Sequence, residues 1–208
     1  TAWFMLHRIR LAMQNGTFEK LTGEIEADET FVGGRARNMH ASRRAQFGSA
    51  PLGPAGGNKT IVMGMMERGG KVRTQIIPNR TKWTLQYQVR TNVERGAVVN
   101  TDEHSGYTNL RYGYIHQVID HSVGYVEGQV HTNSMENFWS CLKRTIGGTY
   151  ISVEPYQLFR YLDEQVFRFN ERKGTDSTRF EKLVTQVVGK RLTYNELTGK
   201  ESGEQAFA

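Results

Sequence analysis

The segment EIEADETFVGG, residues 24–34, alternates polar and apolar side chains from Glu24 to Asp28 and closes on two glycines. That alternation is the period of a half-buried strand. It sets Glu24, Glu26 and Asp28 on one face and Ile25 and Ala27 on the other. Asp is depleted in strands, so Asp28, near the end of this one, calls for a reason other than strand propensity. Glu24 and Glu26 share its face and could assist it; the expectation is that they lie farther down the strand or toward solvent.

Working outward, residues 34–59 show little apolar periodicity and carry Gly, Pro, Ser and the cations Arg35, Arg37, Arg43, Arg44 and Lys59. So long a loop in a compact domain tends to be functional or disordered, and contact with phosphate is the preferred role for its arginines. Next, TIVMGMMERGGKVRTQIIP reads as a hairpin turning at Arg68–Lys71. Thr81 to Glu94 reads as a helix stopped by Gly96, and AVVN is a short apolar strand of the buried parallel type. YIHQVIDHS suggests a fifth strand. Asn133 to about Ile146 is a strong helix with Met135, Phe138, Trp139, Leu142 and Ile146 on its apolar side, ended by Gly147-Gly148. A further helix starts at Pro155, and residues 178–188 allow another.

Upstream, Ala2, Met5, Leu6, Ile9, Ala12 and Met13 recur at helical spacing, which predicts a docking helix whose solvated side holds His7, Arg8 and Arg10. The order of three meandering strands, a helix, a strand, a further strand and helices is that of an α/β, RNase H-like mixed sheet flanked by helices. The expected division is a linker helix over 1–22, a catalytic domain over 23–175 with the basic loop 34–59, and a C-terminal helix and tail over 176–208.

Lys and Arg number 27 against 21 Asp and Glu, for a net charge of +6, which favours an anionic partner such as nucleic acid. Trp3, Trp83 and Trp139 are far apart on predicted helices, where core packing is expected rather than single-strand stacking. Cys141 is the sole cysteine, so no internal disulfide and no cysteine-based zinc site can form, as befits a reducing cytoplasm. No apolar run approaches the roughly 20 residues of a membrane-spanning helix. The chain begins with Thr rather than Met, and the expectation is of a trimmed N-terminus with a module upstream.

Three carboxylates fall at informative places. Asp28 is on the first strand, Asp102 just past the AVVN strand, and Glu136 in the first turn of the helix after it. Strand ends deliver side chains to the mouth of an α/β sheet. Carboxylates gathered there repel one another unless cations join them, and hard oxygen donors suit Mg²⁺, with Mn²⁺ as a substitute. Two such ions about 3.5 to 4 Å apart can activate an attacking oxygen and stabilise a leaving one at phosphorus. Each residue has a structural alternative: Glu136 suits the helix dipole, and Asp102 suits a turn. Lys143 lies two helical turns after Glu136 with Ser140 between, so it shares the carboxylate's face and is placed to hold a phosphate.

At these residues the chain resembles the ISXO2-like transposases of the IS1595 group, within the DDE superfamily. The matching stretches are EADETFVGG, TDEHSGYTNL, HTNSMENFWSCLKRTIGGTY and YLDEQVFRFNER, in family order. The resemblance implies an RNase H-like fold, a two-metal site on Asp28, Asp102 and Glu136, and Lys143 with Arg144 on the DNA backbone. It implies water-driven cleavage at the ends of an insertion sequence and attack of the freed 3′-hydroxyl on target DNA. Double-stranded DNA, both element ends and target, is the implied partner, with a homo-oligomer as the acting assembly and the bacterial nucleoid as its place when DNA-bound. The cysteines of the zinc-ribbon-like module that such relatives carry have no counterpart here. His131, just before the helix, is a second-tier candidate for metal or DNA. The competing readings are an RNase H-like metal nuclease, which hydrolyses without joining, and a non-catalytic DNA-binding remnant.

Overall fold

The computed structural model describes residues 1–14, 19–34, 40–42, 59–119, 132–151 and 153–200. They form two compact units, one of Phe18–Val153 and one of Thr1–Thr17 with Glu154–Ala208.

The first unit is built on a five-stranded sheet of β1 (Glu24–Val32), β2 (Thr60–Glu67), β3 (Val72–Ile77), β4 (Val98–Thr101) and β5 (Ile115–Val118), in the order β3-β2-β1-β4-β5. The hairpin turns through Gly69, whose φ of +71° is one that glycine adopts without strain. It makes β2 antiparallel to β3; β2 also pairs antiparallel with β1, whereas β4 and β5 run parallel to β1. Three meandering strands followed by two parallel ones make the RNase H-like mixed sheet that the element order predicts.

Two helices flank this sheet. Helix α2 (Lys82–Asn92) is capped by the Thr81 hydroxyl. Its Leu85 and Val89 join Ile25, Ala27, Met63, Met65 and Val99 in one buried cluster. Helix α3 (Asn133–Thr145) buries Met135, Phe138, Trp139 and Leu142, and its Met135 and Trp139 crowd Gly64 of β2. Residues 64 and 63 point to opposite sides of a strand, so the two helices cover opposite faces. Glycines 147 and 148 do not end α3 at once, since a wider π turn carries the winding over Ile146–Tyr150. Trp3 and Trp83 correct the expectation of core packing, which Trp139 meets: Trp3 is exposed, and α2 buries Leu85, Gln86 and Val89 and leaves Trp83 77% exposed.

The second unit joins α1 (Ala2–Met13) to α4 (Leu158–Asn170), α5 (Asp176–Val187) and α6 (Tyr194–Thr198). Here the sequence expectation for α1 holds for exposed Arg8 and buried Ala12 but is reversed at most other positions. Met5, Leu6 and Ile9 are exposed, while His7 and Arg10 are buried. The Arg10 guanidinium donates to Glu164 at 2.8 Å and stacks on the Tyr161 ring, 4.1 Å from its centroid. His7 lies edge-on between the rings of Trp3 and Tyr161. Polar side chains with α4 partners take the inner face, which an apolar-periodicity argument cannot foresee. Lys190 donates to the carbonyls of Leu11 and Gln14, each at 3.0 Å, and so occupies acceptors that the end of α1 leaves open. Thr193 and Glu196 form a capping box at α6. No helix among the described residues is long and apolar enough to cross a membrane.

Candidate functional site

The first strand ends at Val32, as the sequence reading of Gly23 to Val32 has it, but Asp28 lies midway along it rather than near its end, paired with Gly64 of β2. What ends near Asp28 is the parallel ladder with β4. That ladder places Glu24 opposite Val98 and Glu26 opposite Asn100. Continued by two residues, the same register brings Asp28 level with Asp102, just past the end of β4. Asp28 itself faces α3, whose Trp139 indole donates to it, and the charge of Asp102 reaches it.

Asp102 is half-buried and its Oδ1 accepts the His104 N–H at 3.1 Å, so the turn-capping role open to it in the sequence is filled. The carbonyl of Asp102 accepts the Thr101 hydroxyl at 2.8 Å. An open cleft of about 320 Å³ beside it is lined by Asp102, His104, Tyr107, Arg111 and His116, among others.

Glu136 sits in the first turn of α3 with its side chain exposed, and Lys143 and Arg144 are exposed in the last turn. Arg144 donates to the Ser140 hydroxyl at 3.4 Å. The other predicted DNA contacts, Arg35, Arg37, Arg43 and Arg44, lie outside the described residues, as does His131.

The Asp28 carboxyl is raised to about 6. Burial is the main cause. The Glu29 N–H, 2.8 Å from Oδ1, and the Trp139 indole N–H, 2.9 Å from Oδ2, oppose it. The charges of Asp102 and Glu136 add to the rise. Asp28 thus feels both other members of the predicted triad. Among the described residues, no three Asp, Glu, His or Cys side chains already stand close enough together to cage an ion. The fit to a cation rests on donor chemistry: oxygen ligands that repel one another and that a divalent ion would reconcile.

Residues that the sequence left unexplained surround this core. Glu26 is fully buried rather than solvent-facing. Its Oε2 accepts the N–H groups of Ser134 and Met135 and its Oε1 accepts the Ser134 hydroxyl, all at 3.0 Å. Arg68 lies 3.6 Å from Glu26 and pairs with Glu24, which also accepts from Asn100 at 2.9 Å. On the opposite face, the buried Glu29 accepts the Tyr107 hydroxyl and lies 3.8 Å from Arg80. Burial is the main cause that raises its carboxyl to about 7. The signal for Glu29 was in the alternation, which puts a charge in line with Ile25 and Ala27.

The model of the ISXO2-like transposase domain family matches residues 20–170. No curated protein matches the chain. Among solved structures, the crystal structure of the catalytic core domain of BIV integrase is similar, at 16% identity and a TM-score of 0.48, over 79% of this chain and 95% of that one. The family match spans well over half of the chain and contains Asp28, Asp102, Glu136 and Lys143. The chain belongs to the ISXO2-like transposase domain family.

Proposed function

We propose that this protein is a DNA transposase that cleaves phosphodiester bonds at the ends of an insertion sequence and joins the freed ends to target DNA. The observation that carries this reading is the register that brings Asp28 level with Asp102 at the parting of β1 and β4, with Glu136 on the helix covering that face.

Asp28, Asp102 and Glu136 would hold the ions. Two bound Mg²⁺ or Mn²⁺ ions would supply activation of the attacking oxygen and stabilisation of the leaving one. In the first step a water oxygen bonds to phosphorus at the element's end, the P–O3′ bond breaks, and the 3′-oxygen leaves as a hydroxyl. In the second that 3′-hydroxyl oxygen would bond to a target phosphorus as the bond to the target's own 3′-oxygen breaks, the proton given up by the attacking hydroxyl passing through solvent to the leaving oxygen, which departs as a 3′-hydroxyl. Lys143 and Arg144, exposed on the same helix as Glu136, are placed to grip backbone phosphates, and a homo-oligomer would hold both element ends. Phosphate contacts of this kind make duplex binding weaken steeply with salt.

The discriminating experiment incubates the chain with a labelled duplex bearing a free 3′-hydroxyl end and a supercoiled target plasmid in Mn²⁺. Label covalently joined to the plasmid is the expected result. Cutting without joining would replace the transposase reading with that of a metal nuclease. Salt-sensitive binding with neither reaction would leave a DNA-binding remnant.

A further inference from the structure

Thr132 precedes α3 but its side chain caps nothing. The first N–H groups of a helix need acceptors, and here a carboxylate from another element provides them. Glu26 of β1 accepts the N–H groups of Ser134 and Met135 and the Ser134 hydroxyl. A negative charge at that position also suits the helix dipole. One turn beyond, the relationship is reciprocal, for Trp139 of α3 donates its indole N–H to Asp28 of β1 at 2.9 Å. The Trp139 indole is enclosed, at 4% exposed, and Asp28 is half-buried. Glu136 lies between the two attachment points in sequence, three residues before Trp139 and one after Met135.

We propose that Glu26 and Trp139 are positioning residues, a two-point clamp that fastens α3 to β1 on either side of Glu136 and fixes the spacing of Glu136 from Asp28. This rests on the reading of those two carboxylates as ligands of divalent ions. Glu26 touches no substrate and acts through the helix backbone. Trp139 acts through Asp28, holding Oδ2 while the Glu29 N–H holds Oδ1, so that the carboxylate plane is set before an ion arrives.

The test uses Mg²⁺ alone as the probe and reads no catalysis. Trp3 and Trp83 are exposed, so Trp3→Phe/Trp83→Phe leaves Trp139 as the sole indole emitter. Mg²⁺ should change its emission with the midpoint that calorimetry gives for the wild-type chain, a signature that a merely structural tryptophan would not show. In calorimetry well below the unfolding temperature, Trp139→Phe and Glu26→Ala should each raise the Mg²⁺ midpoint about tenfold, the scale of a lost charge-assisted hydrogen bond. Glu26→Gln keeps an oxygen acceptor for the helix and should recover to within about threefold of wild type. The amides of Ser134 and Met135 should exchange faster in Glu26→Ala. Folded variants with wild-type Mg²⁺ midpoints and wild-type exchange would overturn the clamp. If Glu26→Ala does not fold, Glu26→Gln and Trp139→Phe decide it by the same readings. Absence of Mg²⁺ binding by the wild-type chain would overturn the functional reading instead. The fastening itself would then stand or fall on the amide exchange alone.

Discussion

Asp28 stands directly opposite Gly64 in the antiparallel ladder of β1 and β2, and the space that a side chain at 64 would fill belongs to α3. A Cβ there would lie 2.3 Å from Met135 Cε and 2.6 Å from Trp139 Cζ2. The methionine can yield, but the indole is pinned by its bond to Asp28. Gly64→Ala is therefore expected to destabilise the protein by about 1–3 kcal/mol through overpacking. Gly147→Ala meets nothing within 4 Å and should stay within about 0.5 kcal/mol of wild type. Urea unfolding of the two variants beside wild type checks the contrast.

The inverted burial of α1 makes a second prediction. Arg10→Ala removes a buried partner of Glu164, a change that costs about 3–5 kcal/mol when it strands the other charge. Glu164 keeps Arg168, 3.0 Å away, and is not fully stranded, so the expected loss falls below that range, at about 2–3 kcal/mol. Met5→Ser, on the exposed side, should cost less than about 0.5 kcal/mol. A larger loss from Met5→Ser than from Arg10→Ala would show that the apolar side faces the core after all.

His7 gives the fold a specific acid sensitivity. Burial is the main cause that lowers its ring to about 4, with Arg10 and Arg160 adding to the effect and Glu164 opposing it. Neither ring nitrogen has a hydrogen-bond partner. Below an unfolded pKa of 6.5 the unfolded chain takes up a proton that the folded chain refuses. This contribution to stability is therefore complete above about pH 7 and falls away as pH drops toward 4. In His7→Phe it should be absent. Relative to its value at pH 7, the stability of His7→Phe over wild type should grow by on the order of 1–2 kcal/mol by pH 4. Asp163, raised by burial to about 7, acts in the opposite sense but is common to both proteins and cancels in the difference. Parallel stability curves for the two proteins from pH 7 to 4 would contradict the assignment.

Lys143 is exposed on α3 two turns beyond Glu136. Lys143→Ala should weaken duplex DNA binding several-fold, about equally for all sequences, and lower the slope of log affinity against log salt by about 1. Filter binding or fluorescence anisotropy across a salt series measures both. An unchanged slope would remove Lys143 from the set of phosphate contacts.

The strand order was legible because each strand carries its own signal: alternation in residues 24–28, turn residues at 68–71, and a short apolar run at 97–100. The pairing register was not, and it is the register that brings Asp28 level with Asp102. Sequence spacing made Glu136 a candidate through its place in a helix, but the anchor of that helix, Glu26, lies 108 residues from Ser134 and no local pattern links them. A buried glutamate also runs against the usual reading of polar alternation as solvent-facing. Trp139 was legible as a core residue, whereas its N–H bond to Asp28 depends on a neighbouring strand offering Gly64 beneath it. On α1 the apolar period gave the right helix and the wrong inner face, since Arg10 and His7 find their partners on α4, remote in sequence.

The most direct test of the central claim is nicking of supercoiled plasmid by the wild-type chain and by Asp28→Asn, Asp102→Asn and Glu136→Gln, in Mn²⁺ with and without EDTA. The account predicts nicking that requires the metal and falls by at least about a hundredfold in each variant, all three remaining folded. Nicking that survives EDTA, or that persists at wild-type rates in Asp102→Asn, would contradict it.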